Sequence, residues 1–396
     1  MSLDKVVIVS AVRTPVGSFG GSLTGISAAE LGELVVREAV KRANLENEDI
    51  DEVIVGQVGQ VAEDGFIARH IALKADLPHS STAYSVNRQC GSGLQAIANG
   101  VMAIQLGQAD IIVAAGTENL SNLPYYIKDA RWGAKMGHKV FEDGVIDILT
   151  WPMGPYHNGT TAEVVAEKYN VSREEQDEYA CRSQSLAVKA IEEGRFKDEI
   201  VPVKKVDRKG NISYFDTDEG PRKGITIEKL SNLRPAFKKN GSVTAGNAST
   251  LNDGAAAVVL MKESEAIERG INDYIEIVDY RVVGHPDDEM GYAPRWSTQK
   301  LVEDLEIDIQ SIDMIEINEA FASQVVAVAR DLSIDMDKVN IYGGGISIGH
   351  PLGATGVVLA TKVFYELLHS NKQDAIISMC IGGGQGISMY FRKVSN

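Results

Sequence analysis

Cysteine is scarce in this chain: three residues in 396, at positions 90, 181 and 380. None stands near another, so neither a zinc site nor a disulfide framework is expected. No apolar run is long enough to span a bilayer, and the opening strand around Val6–Val9 is too short for a secretory core. Basic charge is also short, with 39 Lys and Arg against 55 Asp and Glu and a net charge of −16. Nucleic acid and anionic membranes demand basic footprints, which argues against either as the main partner. Neither GxGxxG nor GxxxxGK[ST] occurs, so a nucleotide loop ranks low. A reduced, cytoplasmic protein is the expectation.

What is present is an ordinary globular composition, 44% hydrophobic, long enough for two or three domains. Lys5–Val9 reads as a buried strand. Ser27-Ala28-Ala29-Glu30 reads as a capping box opening a helix to about Ala43. Further strands are expected at Ile50–Val55, Ala83–Val86 and Asp110–Gly116. Alternating helices and continuous apolar strands imply an α/β fold, its sheet covered on both faces. From Asn119 to about Gly246 the rhythm breaks, and only one helix, from Ser172 to near Gly194, is expected with certainty of type.

After Asn252-Asp253-Gly254 the pattern of the first half returns. Ser311–Ile317 echoes Asp49–Val55, and Asp374–Met379 repeats Asp110–Ala115. Val339-Asn340 leads through a glycine-rich turn into a charge-free helix containing His350 and running to Thr361, paralleling Val86-Asn87 and the Cys90 helix. The expected division is an N-terminal α/β half at 1–118, an inserted loop domain at 119–249, a return at 250–270 and a C-terminal α/β half at 271–396. Two similar halves would then place the two buried helices face to face.

The stretch Asn87-Arg88-Gln89-Cys90-Gly91-Ser92-Gly93 joins a strand to a helix that carries no formal charge between Arg88 and Asp110. A cysteine at the positive end of a helix dipole favours thiolate and becomes a nucleophile. The competing reading is a small buried core cysteine. His350, in Gly349-His350-Pro351, lies at a second helix start, where Pro351 suits the first turn; with Cys90 it forms the Cys-His arrangement of an activated thiol. Cys380 ends a buried strand, and Gly382 and Gly383 after it can present bare N–H groups to an oxyanion. Asn318, in Asn318-Glu319-Ala320-Phe321, reads as a helix cap if taken alone. Between Lys204 and Lys239 stand ten Lys and Arg against five Asp and Glu. That is a solvated basic face or a seat for a phosphate-bearing ligand. Cys181 reads as structural.

Cys-Gly-Ser-Gly at Cys90, Asn-Glu-Ala-Phe at Asn318, Gly-His-Pro at His350 and Cys-Ile-Gly-Gly-Gly at Cys380 together resemble the thiolase family over the whole chain. The resemblance implies a thiolase-like fold of two βαβαβ-type halves with layered sheets and helices. It also implies an acetyl-CoA C-acetyltransferase that condenses two acetyl-CoA to acetoacetyl-CoA and CoA through an acyl-enzyme. In it Cys90 would be acylated, His350 would be its base, and Cys380 the acid/base on the substrate α-carbon and departing thiol. Oxyanion holes would form from His350 with a water on Asn318, and from the N–H groups of Cys90 and Gly382. Coenzyme A and acyl contacts would fall on Arg222, Ser249, Ala245, His157, Phe321, Leu149, Met290 and Asn158. No cofactor is implied, since coenzyme A thioesters are substrates. The Leu120–His157 segment resembles the biosynthetic short-chain subgroup, usually tetramers built from tight dimers. Asn158, where that subgroup commonly has Met, and Gly291–Trp296, where smaller residues are usual, depart beside the acyl pocket. A degradative, broader-range 3-ketoacyl-CoA thiolase is the alternative, and a noncatalytic acyl-CoA carrier a remote one.

Overall fold

The computed structural model describes residues 4–154 and 156–394, so the outermost residues of the first and last expected units, 1–3 and 395–396, lie outside it. One sheet organises the molecule. Its strands are β1 (Val6–Arg13), β2 (Glu52–Gly56), β3 (Thr82–Val86), β4 (Ile111–Asn119), β5 (Asn252–Lys262), β6 (Ile275–Gly284), β7 (Met314–Ile317), β8 (Asp374–Ile381) and β9 (Gln385–Lys393). Along the sheet they run β7-β8-β9-β6-β1-β5-β4-β2-β3, and Gly17–Ser18 adds a short arm to β5.

The order reads as the same pattern from either side of the β1–β6 pair. On one side β1, β5 and β4 are antiparallel and β2 then runs parallel to β4; on the other β6, β9, β8 and β7 do the same. At the seam Val6 faces Ile277, Val7 faces Glu276 and Ile8 faces Ile275, a ladder that maps onto itself under a twofold rotation. Both first strands also slip register at the same place, between Ile8 and Ser10 and between Ile277 and Asp279.

Alternation along these strands builds three apolar layers. Val6, Ile8, Ile54, Val258, Ile377, Met379 and Phe391 pack in the middle layer, against helices α3 (Ser92–Gln105) and α8 (Leu352–His369). Val7, Val53, Val113 and Val259 face outward under α1 (Ala28–Arg42) and α2 (Ile67–Lys74). Ile315, Ile317, Ile376 and Tyr390 face outward in the second half, under α6 (Ala293–Asp304) and α7 (Ala322–Asp331). The capping box at Ser27 forms as expected, with Glu30 bonding back to the Ser27 N–H. Between β4 and β5 the chain leaves the sheet to form α4 (Asn158–Lys168), α5 (Arg173–Glu192) and small hairpins.

Three expectations are corrected. The β8 repeat is displaced by one residue: the β5–β4 and β9–β8 ladders align Ile111 with Asp374 and hence Thr117 with Cys380. A one-residue slip exchanges the faces of a strand, which is why Ile112 and Ala375, not Ile112 and Ile376, share the middle layer. His350 is not inside its helix, because Pro351 is the N-cap and the helix opens at Leu352. That helix also runs past Thr361 to His369, carrying Lys362 in the core, where its Nζ meets Glu316 at 2.7 Å and donates to the Gly343 carbonyl. In the first half the position matching Asn318 is Gly56, and a Cβ there would lie 2.6 Å from the Gly93 nitrogen. The residue matching Cys380, Thr117, donates its hydroxyl to the Ala28 carbonyl at 2.7 Å.

Candidate active site

Cys90 and His350 stand two residues before α3 and α8, the two helices of the middle layer, and so meet near the pseudo-twofold axis. Gln89, at φ 46°, makes the left-handed turn that delivers Cys90, and Ser92 Oγ closes it by accepting from the Arg88 N–H and donating to the Gln89 carbonyl. The His350 loop is held from the return segment. Its N–H donates to Asn252 Oδ1 at 2.8 Å, and Gly349, at φ 123°, lets Asn252 approach where a Cβ would meet its amide at 2.5 Å.

A cavity of about 250 Å³ is lined by Cys90, His350, His157, Asn158, Ser249, Phe321, Leu149 and Met290 from the expected set. Ile146, Phe237, Thr250, Leu251, Ala320 and Leu352 complete it. Phe237 stacks on His157 and meets Phe321 edge on. The remaining catalytic candidates stand around the cavity. Asn318 Nδ2 donates to His350 Nε2 at 3.4 Å, and the backbone N–H groups of Gly382 and Cys90 stand where they favour the ionised form of the Cys90 sulfur. Cys380, fully buried, is near enough to Cys90 for that sulfur to oppose its ionisation. Ala245 and Arg222 are exposed and lie outside the cavity lining; Arg222 borders a separate surface groove with Gln184 and Lys189.

The electrostatics overturn one expectation. Burial pushes the Cys90 thiol up to about 12, against the lowering effect of the two N–H groups, so the resting residue is a thiol and not a thiolate. Burial likewise lowers His350 to about 4 and keeps the imidazole neutral. Since the Asn318 amide donates to Nε2, the ring proton sits on Nδ1 and goes to Thr355 Oγ1, 2.7 Å away. Nε2 is therefore the nitrogen with a lone pair. The site holds an uncharged thiol and an uncharged imidazole on one cavity.

Sequence reasoning missed Thr355, Gln324 and Glu118. Glu118 accepts from the Val58, Gly59 and Gly353 N–H groups at 3.0, 3.0 and 2.9 Å, tying the loop beside Cys90 to the first turn of α8. Burial raises its carboxyl to about 7. Only the pairing across 235 residues reveals that role.

The neutral His350 gives a stability prediction. An unfolded histidine titrates near 6.5, so between about 6.5 and 4 the unfolded chain carries a proton that the native chain lacks. Stability on this account is intact above that window and falls by roughly 3 kcal/mol as acid is added through it. His350→Asn is expected to show a slope of unfolding free energy against pH about one proton shallower there. Equal slopes in chemical denaturation would show that the native imidazole is already charged.

Comparison with known proteins agrees with the geometry. The family model for the thiolase N-terminal domain matches residues 6–264, and that for the thiolase C-terminal domain matches residues 272–393. The chain belongs to the thiolase family. An acetyl-CoA acetyltransferase of Pseudomonas aeruginosa is 46% identical over 388 residues, 98% of this chain and 99% of that one. The crystal structure of the Bacillus anthracis acetyl-CoA acetyltransferase superposes with a TM-score of 0.97 at 44% identity, covering 99% and 100%. Human mitochondrial 3-ketoacyl-CoA thiolase in complex with CoA superposes at 0.95 with 36% identity, covering 99% and 98%. This thiolase is thus an acyltransferase with a thiolase fold, and among its described residues no helix is long and apolar enough to cross a membrane.

Proposed function

We propose that this thiolase is an acetyl-CoA C-acetyltransferase, interconverting two acetyl-CoA with acetoacetyl-CoA and CoA through an acyl-enzyme on Cys90. The observation that carries the reading is the convergence of a buried Cys90 thiol, a neutral His350 and two N–H groups on one sulfur beside an apolar cavity. His350 Nε2 takes the Cys90 proton as sulfur attacks the thioester carbonyl, so no buried thiolate has to form first. The departing CoA sulfur takes the Cys380 proton. The Cys380 thiolate then removes an α-proton from the second acetyl-CoA, and the enolate, its oxygen stabilised by His350 and an Asn318-held water, attacks the acetyl group on Cys90. Cys90 and Gly382 N–H groups receive the oxyanion of that acetyl carbonyl; its collapse breaks the carbon–sulfur bond, and the Cys90 sulfur takes back the proton held by His350. CoA, its thioesters and the bound water are thus the small molecules the cycle uses.

Arg222 in the basic segment, with Ala245, is assigned to the nucleotide end of CoA, and Ser249, His157 and Phe321, which line the cavity, to its pantetheine. Leu149, Met290 and Asn158 bound the acyl group. Asn158 also supports a second reading, a broader 3-ketoacyl-CoA thiolase, because it is shorter than Met and lines the cavity beside Cys90. We further assign a reducing, cytoplasmic setting and a homotetramer. Support for self-association comes from exposed Trp132, Met136, Phe141 and Met153 in one segment, and from β3, an edge strand whose Tyr84 is exposed.

Intact mass measurement after brief mixing with acetyl-CoA tests the reading, with peptide mapping and thiolysis of acetoacetyl- and 3-ketohexanoyl-CoA alongside. An acetyl group on Cys90 and turnover mainly of the four-carbon substrate are expected. Good six-carbon turnover moves the assignment to the broader enzyme. A folded protein with neither adduct nor turnover is a carrier.

A further inference from the structure

Gln324 lies in the first turn of α7 with its side chain fully buried, and neither the sequence motifs nor the mechanism above uses it. A buried primary amide is costly unless both ends find partners. Its Nε2 donates to the Asn318 carbonyl at 3.1 Å. A carbonyl oxygen only accepts, so the NH₂ end must point there and the amide cannot be turned round. That leaves Oε1 facing Cys380, whose Sγ donates to it at 3.4 Å. The orientation of one amide is therefore dictated by Asn318 and read by Cys380.

We propose that Gln324 is a positioning residue for Cys380, fixing the direction of its S–H bond and making the thiolate a stronger base by presenting an amide oxygen to it. The inference rests on the acid/base role given to Cys380 above. An acceptor opposite sulfur stabilises the thiol and offers the thiolate no hydrogen bond, so a proton abstracted from a substrate α-carbon is held more firmly. The same amide holds the backbone of Asn318, whose side chain touches His350, so one residue sets the distance between the two halves of the enolate chemistry.

The test separates half-reactions in the full-length enzyme. Cys90 acylation is followed by mass measurement with acetyl-CoA, and α-proton removal by deuterium uptake into acetyl-CoA in heavy water. For Gln324→Met, nearly isosteric, acylation is expected to fall a few-fold at most, since Cys380 there only protonates a thiolate that already leaves readily. Deuterium uptake, in which Cys380 must act as a base on carbon, is expected to fall about tenfold or more, with an altered pH profile. Gln324→Glu keeps an acceptor oxygen toward Cys380 at every pH but keeps the donor to the Asn318 carbonyl, and with it the orientation of the group, only while its carboxyl is protonated. Its uptake is expected to approach the parent enzyme's toward acid and to fall toward alkali. Parallel loss of both half-reactions, or no change in either, overturns the inference, as does a Gln324→Glu profile that keeps the parent shape. If the parent enzyme itself neither acylates nor exchanges, the acyltransfer reading fails and takes this one with it.

Discussion

Cys90→Ser is expected to lose acyl transfer by roughly 10⁴-fold or more, the scale seen when a covalent nucleophile is removed from an otherwise complete site. Serine fits the space: Cys90 is 6% exposed and packs with Val58, Leu120 and Leu352, and an oxygen for sulfur leaves those contacts in place. What goes is the chemistry. His350, lowered to about 4 by burial, is a weak base, able to take a proton from a thiol as sulfur bonds to carbon but poorly matched to an alcohol. Coenzyme A affinity and thermal stability should be near those of the parent, because neither the cavity nor the loop anchors change. The measurement is kcat for acetoacetyl-CoA thiolysis beside CoA affinity by calorimetry. Activity within tenfold of the parent would remove Cys90 from the mechanism.

Arg13→Met is expected to cost about 3–5 kcal/mol of stability. The Arg13 guanidinium is fully buried; it bonds Glu199 Oε1 at 2.6 Å and both oxygens of Asp218 at 2.7 and 3.0 Å. Burial opposes its charge, but Asp218 and Glu199 more than offset this and hold the guanidinium above its ordinary range. Without it two carboxylates remain buried with no cation between them, which is far costlier than losing the attraction itself. Replacing all three, Arg13→Met with Glu199→Gln and Asp218→Asn, should recover much of the loss in chemical denaturation. A single Arg13→Met as stable as the parent would show that the two carboxylates are neutral or solvated. The same change bears on substrate: Asp218 also accepts from the Val16 N–H, and Arg222 follows four residues later. A raised KM for CoA is expected to accompany the destabilisation.

Cys90, Asn318 and His350 were legible as candidates because they sit just before helices, where glycine, proline and an apolar helix leave a local signature, and Cys380 because it ends an apolar strand that turns on three glycines. Cys90, His350, Asn318 and Cys380 all have one. Gln324 and Glu118 do not: their partners lie 56 and up to 235 residues away, and nothing local distinguishes them from other polar residues at element ends. The thiolate expected at Cys90 failed for a related reason. A helix dipole can be inferred from sequence, but the depth of burial that outweighs it depends on α8 closing over the turn. The strands were legible as apolar runs, yet the one-residue displacement of β8 was not. A strand buried on both faces lacks the polar alternation that would pin its register.

The twofold seam at Val6–Ile8 and Ile275–Ile277 makes the chain a fused pair of unlike subunits, and such a pair has two symmetry-equivalent places for a catalytic centre. Only one is open. Beside Asn318 and Cys380 the second half leaves room for side chains and a cavity; at the matching places in the first half, Gly56 lies against the backbone of α3 and Thr117 spends its hydroxyl on α1. Restoring the missing centre would take more than copying Asn and Cys onto positions 56 and 117, because α3 would have to retreat by the width of a side chain and α1 would have to lose an anchor. The two halves are thus unequal around the seam, the first giving Cys90 and the second His350, Asn318 and Cys380, and under the proposed mechanism each chain is committed to one reaction at a time.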